Sequence, residues 1–351
     1  MTTARVARVA VIGYGLGGSA FHAPLISVTD GLSLEVLVTS NPDRQDAARR
    51  RYPKASVVAS VDELLKTEHR LDLAVVTVPN AAHVSVAEQA LRAGIATVID
   101  KPLAPTADEA ERLGNLATER GSLVIPYLNR RWDGDFRTLK SLIDGGELGT
   151  LWRLESRFER WRPEAESRSW KQDPSQPGGG ILYDLGSHLI DQALVLFGKP
   201  ESVYAELAGR IGPLDDDTFV TLEYPQGLTV HLWASSKTAL LGPRFRALGS
   251  VAGYVKYGLD VQEDALRAGR LPTEPGWGTE PPEAWGRLGS VHGTEPVETV
   301  PGAFQDFYAG VAATLLDGAP QPVALADAVT GLRIIEAARE SARTRQAVAI
   351  D

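Results

Sequence analysis

The apolar residues of this chain follow two different patterns in succession. Over residues 1–127, short apolar runs alternate with segments whose apolar positions recur at helical spacing. The runs Val9-Ala10-Val11-Ile12, Leu34–Ser40, Val57-Val58, Leu71–Val78, Ala96–Ile99 and Leu123–Ile125 suit strands of a parallel sheet buried on both faces. Between them, Ser19–Val28, Asp43–Tyr52, Val61–Thr67, Val84–Ala93 and Thr106–Arg120 read as helices. Pro24 must then sit near the first turn of its helix or kink it. Asp62 and Glu63 favour a first turn, where the helix dipole welcomes them, and Gly94 provides a stop. Strand and helix alternating with short connections predict a doubly wound parallel sheet, an α/β dinucleotide-binding (Rossmann) domain over 1–127.

Beyond Asn129 the pattern changes. Asp135–Gly145 reads as a helix and Leu151–Arg162 as an extended strand, followed by a polar, Pro-rich loop from Pro163 to Pro177. Gly178-Gly179-Gly180 leads into Ile181–Phe197, the most apolar helix of the second half. Val203–Ile211, Thr218–Tyr224, Leu228–Ser235, Arg244–Leu248 and Ala252–Tyr257 then follow as strands, punctuated by Gly227, Gly249 and Gly253. Strands in succession without helices between them predict an antiparallel sheet. Residues 269–302 are rich in Pro, Gly and Glu and carry Trp277-Gly278 and Trp285-Gly286. They read as an ordered surface excursion whose tryptophans need burial. Helices at Phe304–Leu316 and Ala324–Thr344 close a second domain, 128–351.

Composition narrows the function classes. A chain of 351 residues has room for two domains at roughly 100–200 residues each. Its formal charge of −9 argues against a general nucleic-acid-binding surface, which needs basic clusters. It has no cysteine, so disulfides, thiolate metal sites and thiol nucleophiles are excluded. Nothing approaches the roughly 18–20 uninterrupted apolar residues of a membrane span, and Met1–Arg8 shows no signal-peptide pattern. A cytoplasmic protein is expected.

Four features carry candidate chemistry. Gly13, Gly15 and Gly18 fit G-x-G-x-x-G directly after the first strand. The first glycine permits a tight turn, the second lets a diphosphate approach the backbone, and the third lets the helix pack on the strand. At the end of the second strand, where this fold usually carries an acidic ribose ligand, the chain has Ser40-Asn41-Pro42-Asp43-Arg44. Asp43 is read as a helix cap. Neutral Ser40 and Asn41 with cationic Arg44 tolerate a 2′-phosphate, so NADP(H) is expected, with NAD(H) as the alternative. Lys101 follows an apolar strand, beyond the carboxyl end where ligands of open α/β sheets bind; a surface lysine fits that position as well. Asp184 and His188 lie four residues apart on the apolar helix, with Asp191 beyond them. A histidine near neutral pH can take a hydroxyl proton while a carboxylate orients it, but the spacing equally suits a self-satisfied buried pair. No second ligand cluster accompanies them, so no metal is expected, and no Gly-x-Ser-x-Gly elbow suggests a hydrolase.

Together the motifs resemble the Gfo/Idh/MocA oxidoreductases over nearly the whole chain. They are Gly13-Tyr14-Gly15-Leu16-Gly17-Gly18, Val78-Pro79-Asn80 with His83, Asp100-Lys101-Pro102, and the block from Gly178-Gly179-Gly180 through Asp184-Leu185-Gly186-Ser187-His188 to Asp191. One position departs: Asp100 stands where the family usually has Glu. Phe21-His22-Ala23-Pro24-Leu25-Ile26 and Asn129-Arg130-Arg131-Trp132-Asp133 are similar to the NADP-dependent scyllo-inositol dehydrogenase group. The resemblance implies a catalytic set of Lys101, Asp184 and His188. Its implied cofactor contacts are Gly13, Gly15, Leu16, Gly18, Ser40, Asn41, Arg44, Val78, Pro79, Asn80, His83 and Lys101. Tyr127, Asn129, Trp161 and Trp170 are candidate substrate-pocket walls beside Lys101, Asp184 and His188, although aromatics fill cores as readily. The implied activity is interconversion of a secondary alcohol of an inositol, polyol or sugar with its ketone. A cofactor-binding sensor without chemistry and a dihydrodiol dehydrogenase are the alternatives. The resemblance also implies an open, mainly antiparallel carboxyl-terminal sheet that supports homodimers or homotetramers.

Overall fold

Val9, Ala10 and Val11 are wholly buried and Ile12 nearly so, as a strand covered on both faces requires. In the computed structural model, which describes residues 5–66, 70–164 and 177–350, they form β1 (Ala7–Ile12) at the centre of a six-stranded sheet. Its companions are β2 (Leu32–Val38), β3 (Ser56–Val58), β4 (Leu73–Val76), β5 (Ala96–Ile99) and β6 (Val124–Pro126), in the order β3-β2-β1-β4-β5-β6. Every pair is parallel. The order reverses direction between β1 and β4, the switch point at whose carboxyl side dinucleotides bind in such sheets. Helices α1 (Ala23–Ser27), α2 (Pro42–Arg51), α3 (Val61–Lys66), α4 (His83–Arg92) and α5 (Ala107–Glu119) complete the alternation.

The helix expected over Ser19–Val28 differs in form. A π-helical stretch, Gly17–His22, precedes α1, whose second residue is Pro24. Proline has no N–H to give to Ala20 and its ring crowds that carbonyl in an α-helix. The wider turn bypasses both problems, and the Ala23 N–H bonds Gly18 O instead. At α2 the cap is Asn41, whose side chain accepts the Arg44 N–H at 3.0 Å. Asp43, read as the cap, lies in the first turn, where its charge still suits the dipole.

A second sheet has nine strands in the order β14-β13-β12-β11-β7-β10-β9-β8-β15. These are β7 (Leu151–Glu159), β8 (Ser202–Ala208), β9 (Asp217–Glu223), β10 (Thr229–Ser235), β11 (Phe245–Gly249), β12 (Gly253–Lys256), β13 (Gly286–Ser290), β14 (Gly293–Val297) and β15 (Val348–Ala349). All neighbours are antiparallel except β7 and β10. Those two are separated by α7 (Ser187–Phe197) and the β8–β9 hairpin, a crossover that allows a parallel pair. Alternation is clean in β9 and β10: Val220, Leu222, Val230 and Leu232 point inward, while Phe219, Thr221, His231 and Trp233 stay half-exposed. The surface excursion contains a hairpin, β13–β14, that its composition conceals. Gly-Arg-Leu-Gly-Ser and Gly-Thr-Glu-Pro-Val have low strand propensity, and Pro296 is tolerated because β14 is an edge. Trp277 is buried as expected, its indole N–H donating to Gln305 Oε1 at 3.0 Å.

The chain gathers into two compact units. The first takes the residues up to Asn129 together with Gln262–Trp277 and Ala303–Ala328. These later pieces contain α8 (Gln262–Arg267) and α9 (Gln305–Asp317), and α9 lies against β1 and α1. The second comprises Arg130–Val261, Gly278–Gly302 and the chain from Val329, including α6 (Gly134–Asp144), α7 and most of α10 (Leu325–Thr344). Among the described residues no helix is long and apolar enough to cross a membrane.

Gly13 has φ 106°, and a Cβ there would collide with the Thr77 carbonyl. Gly94 has φ 75° with nothing near its Cβ position. Gly94→Ala is therefore expected to cost only the left-handed penalty of about 1–2 kcal/mol. Gly13→Ala adds overpacking, for a total of about 3–4 kcal/mol. Urea unfolding of both variants tests the difference, and equal losses would show that Gly13 is not sterically confined.

Candidate active site

The chain leaves β1 through a turn built on absent side chains. Besides Gly13, a Cβ at Gly18 would strike the Gly13 carbonyl and one at Gly17 the Thr77 hydroxyl. Gly15 is different: its Cβ position is open except for the Arg44 guanidinium at 3.7 Å. The turn thus presents accessible backbone at Gly15 with a cation beside it, an arrangement suited to an anion. Leu16 is exposed on the same loop. Ser40 and Asn41 are exposed at the end of β2, where no acidic side chain intervenes before Asp43.

Lys101 follows β5 at the same carboxyl end of the sheet, joined to Pro102 by a cis peptide. Its N–H donates to its neighbour Asp100 Oδ1 at 2.8 Å. The Thr77 hydroxyl donates to Asp100 Oδ2 at 3.2 Å, and His22 Nε2 lies 3.5 Å from that oxygen. Burial would raise the Asp100 carboxyl, but the His22 contact and the charges of His22, His83 and Lys101 outweigh it and hold the group well below the usual carboxylate range. His83 is almost wholly buried, and its ring nitrogens lie 2.8 Å from Pro102 O and 2.8 Å from Val78 O. It ties the Val78-Pro79-Asn80 turn to the lysine loop. Its nitrogens are thus engaged by the backbone, whereas Val78, Pro79 and Asn80 retain exposure.

In the second unit, Gly180 has φ 94°, and a side chain there would collide with Asp215. Asp215 Oδ2 accepts the Leu182 N–H at 2.7 Å and its carbonyl accepts the Ile181 N–H at 2.8 Å. This cap starts a π-helical stretch, Leu182–Gly186, that runs into α7. Asp184 lies half-buried in the π-helical part and His188 is buried in the first turn of α7. Their segment is therefore not the uniform α-helix that the spacing presupposed. The Phe158 ring stands edge-on to His188, 6.2 Å between centroids. Asp191 is held by Arg131, with Nε at 3.0 and 3.2 Å and Nη2 at 2.6 Å.

Beneath α7 lies a buried ionic network. The Arg244 guanidinium is sandwiched between Phe158 and Phe245 at 4.0 and 3.9 Å. It donates to Ser156 Oγ and Gln192 Oε1, both at 2.6 Å, and pairs with Asp135 at 3.2 Å. Gln192 on α7 in turn donates to Arg130 O at 2.8 Å, and Arg130 pairs with wholly buried Asp133 at 3.4 Å. Asp260 accepts the Gly134 N–H at 2.7 Å, fixing the start of α6.

Of the candidate pocket walls, Tyr127 is buried among His22, Phe307 and Tyr308, with ring centroids at 4.2, 4.8 and 6.2 Å, a core position in the first unit. Asn129 is buried and Trp161 is 55% exposed in an isolated bridge with Lys237. Trp170 lies outside the described residues. His22, Thr77, Tyr308, Arg131, Asp215 and Arg244 have places in these arrangements that the sequence reading did not assign. His22 and Arg131 stood inside quoted motifs; the others bear no local signal. Among the described residues no group of His, Asp and Glu is arranged to hold a metal.

Comparison with known proteins adds a second line of observation. The profile of the oxidoreductase family's NAD-binding Rossmann fold matches residues 7–128, and that of its C-terminal alpha/beta domain matches residues 140–350. The chain is 38% identical over 350 residues to scyllo-inositol 2-dehydrogenase (NADP(+)) IolW of Bacillus subtilis, covering 98% of this chain and 96% of that protein. It is 40% identical over 345 residues to the uncharacterized oxidoreductase YdgJ of Escherichia coli, covering 96% and 97%. Among solved structures, the Bacillus subtilis oxidoreductase yvaA superimposes with a TM-score of 0.93 at 35% identity over the whole of both chains. An oxidoreductase from Bacillus cereus does so with a TM-score of 0.88 at 27% identity over 99% of each.

The ionic network yields a pH prediction. Burial raises the Asp133 carboxyl well above its usual range; Arg130 opposes the rise, and Asp260 and Asp135 add to it. The folded protein keeps a proton there that the unfolded chain releases above the ordinary value of about 3.9. The stability this group contributes is present in acid and is lost as pH rises through the raised value. Asp133→Asn cannot ionise, so its urea midpoint is expected to rise relative to the parent chain as pH increases above the ordinary carboxylate value. A difference that stays flat with pH would show that Asp133 is ionised in the fold.

Proposed function

The chain belongs to the Gfo/Idh/MocA family of oxidoreductases, and we propose that it is an NADP-dependent dehydrogenase acting on a secondary alcohol of an inositol, polyol or sugar. The observation that carries this reading is the placement of Lys101 at the carboxyl end of β5, on the sheet whose β1 ends in the open glycine turn. The name of the Bacillus subtilis relative, which specifies scyllo-inositol and NADP(+), supports the substrate class and the cofactor.

The residues present fit a dinucleotide. Gly13 and Gly18 shape the turn, while Gly15 and Leu16 leave it open to a diphosphate. Ser40, Asn41 and Arg44 accommodate a 2′-phosphate, with the guanidinium able to pair with it. Val78, Pro79 and Asn80 line the next strand exit, with His83 bracing them from behind. NADP, when bound, accepts or returns hydride at the nicotinamide. Lys101 holds the reacting hydroxyl through its ammonium and favours the oxygen's developing negative charge. His188 takes the hydroxyl proton in the oxidative direction and returns it in reduction, while Asp184 orients the ring and favours its protonated form. Asn129, Trp161 and Trp170 are the proposed substrate contacts; Tyr127, buried among rings, shapes the wall from within.

Lys101→Ala and His188→Ala are expected to abolish turnover, followed at the reduced-cofactor absorbance with a panel of polyols and sugars, while NADPH binding survives. Arg44→Ala is expected to weaken NADP(H) binding by about tenfold or more and to leave NAD(H) binding little changed. Full turnover in both active-site variants would remove the catalytic assignment. NADPH binding without turnover in the parent chain would make it a cofactor-binding sensor of the same fold.

We also propose a homo-oligomer through the outer face of the nine-stranded sheet. Phe219, His231 and Trp233 cluster there, the Arg157 guanidinium stacks on Trp233 at 3.9 Å, and Glu155 pairs with Arg157 at 2.9 Å. Half-exposed aromatics with interleaved arginine match the composition of protein interfaces. Light scattering is expected to show a dimer or tetramer that Trp233→Glu dissociates; a monomeric parent chain would overturn this.

A further inference from the structure

We infer that Asp100 is a positioning residue for Lys101, a fixed negative charge that links the glycine turn to the lysine and is itself held in place by the buried ring of His22. The inference rests on the reading of Lys101 given above and lies wholly within the first unit.

The carboxylate is anchored on three sides. Oδ1 accepts the Lys101 N–H at 2.8 Å, so the peptide that carries the lysine is tied to the charge beside it. Oδ2 accepts the Thr77 hydroxyl at 3.2 Å. Thr77 is also the residue against which Gly13 and Gly17 pack too closely for a side chain, so a shift of the turn is felt at Asp100. His22 Nε2 faces Oδ2 from 3.5 Å, within range of charge but long for a hydrogen bond.

The His22 ring has no freedom to turn away. It is wholly buried, its Nδ1 lies 2.6 Å from Tyr308 Oη, and Tyr127 lies against its face at 4.2 Å. Burial raises the Tyr308 phenol, with Tyr127 and Asp100 adding to the rise, so a neutral hydroxyl holds that nitrogen at every working pH. From another direction His83 fixes Pro102 O and Val78 O. The ionisable groups around Asp100 are therefore His22, His83 and Lys101, which favour its ionised form, and the Tyr308 phenol, which the same charge keeps protonated. By reciprocity, the Asp100 charge favours the ammonium form of Lys101. The glycine turn, Thr77, Asp100 and Lys101 thus form one connected piece that sets the lysine's direction and its hold on its proton.

The test compares pH profiles. Asp100→Asn keeps the shape and loses the charge, so Lys101 gives up its proton more readily. The alkaline limb of kcat/KM is expected to move to lower pH by about one unit. kcat at the optimum should fall about tenfold, while KM for NADP(H) changes less than about threefold. Asp100→Glu, carrying the longer carboxylate that the family usually has here, is expected to restore the parent profile. Thr77→Val is the second variant, and NADPH fluorescence titration confirms folding of each. It keeps the charge but frees one carboxylate oxygen, and should lower kcat severalfold with the alkaline limb unmoved. A parent-like pH profile in Asp100→Asn, a Glu variant that behaves like Asn, or parent kcat in Thr77→Val would each overturn the positioning role. Lys101→Ala separates the two layers. Turnover in that variant removes the reading of the lysine and the positioning role with it. No turnover there, together with a parent-like Asp100→Asn profile, removes the positioning role alone.

Discussion

The first unit depends on a close approach of backbone to backbone. At the exit of β1 the chain must turn so tightly that Gly13 lies against the Thr77 carbonyl and Gly18 against the Gly13 carbonyl. Only glycine allows either contact. Once the turn closes, β4 is pinned beside β1, Thr77 is presented to Asp100, and the helix that follows must start within the same few ångströms. That helix meets Pro24 directly after its opening stretch Gly17–His22, whose π-helical form resolves the conflict. Geometry at the sheet's carboxyl edge is thus inherited from two glycines rather than from any strong attraction.

The second unit is organised differently, around charge removed from water. Burying Arg244 and Asp135 as ions costs several kcal/mol each by general estimates. That cost is offset only where each group finds partners: Arg244 has two aromatic faces, three neutral acceptors and a carboxylate. An apolar core of similar volume could be as stable. What the ions add is direction, since Gln192 and Arg131 fix the face of α7 that carries His188 and Asp191 to particular atoms of the segment before α6. A greasy contact would allow that helix to slide; these bonds do not.

Much of this was legible in the sequence, for reasons that differ between elements. The parallel sheet was readable because its strands are apolar on both faces and stand between helices of ordinary period. Ala96–Ile99 has the same bounds in the structure as in the pattern. The β13–β14 hairpin was hidden because an edge strand needs neither β-branched residues nor freedom from proline. The glycine turn shows in local spacing, and Lys101, Asp184 and His188 stand out only through the motifs that carry the family resemblance; the partners around them leave no such mark. Thr77 lies 23 residues from Asp100, and Tyr308 lies 286 from His22. Separations of that length leave no trace in a local pattern. His83 is an instructive middle case, conspicuous beside a cofactor motif and yet occupied on both nitrogens by main-chain carbonyls.

The two margins of the nine-stranded sheet have a bearing on solubility. One margin is β15, only two residues long; the other is β14, which carries Glu295 and Pro296. A neighbouring molecule seeking to extend the sheet would find too little main chain at the first and a missing N–H at the second. Broad sheets with long bare rims are prone to runaway stacking into fibres. Here the rims are blunted, and a large half-exposed sheet can be kept in a crowded solution without becoming a template for others.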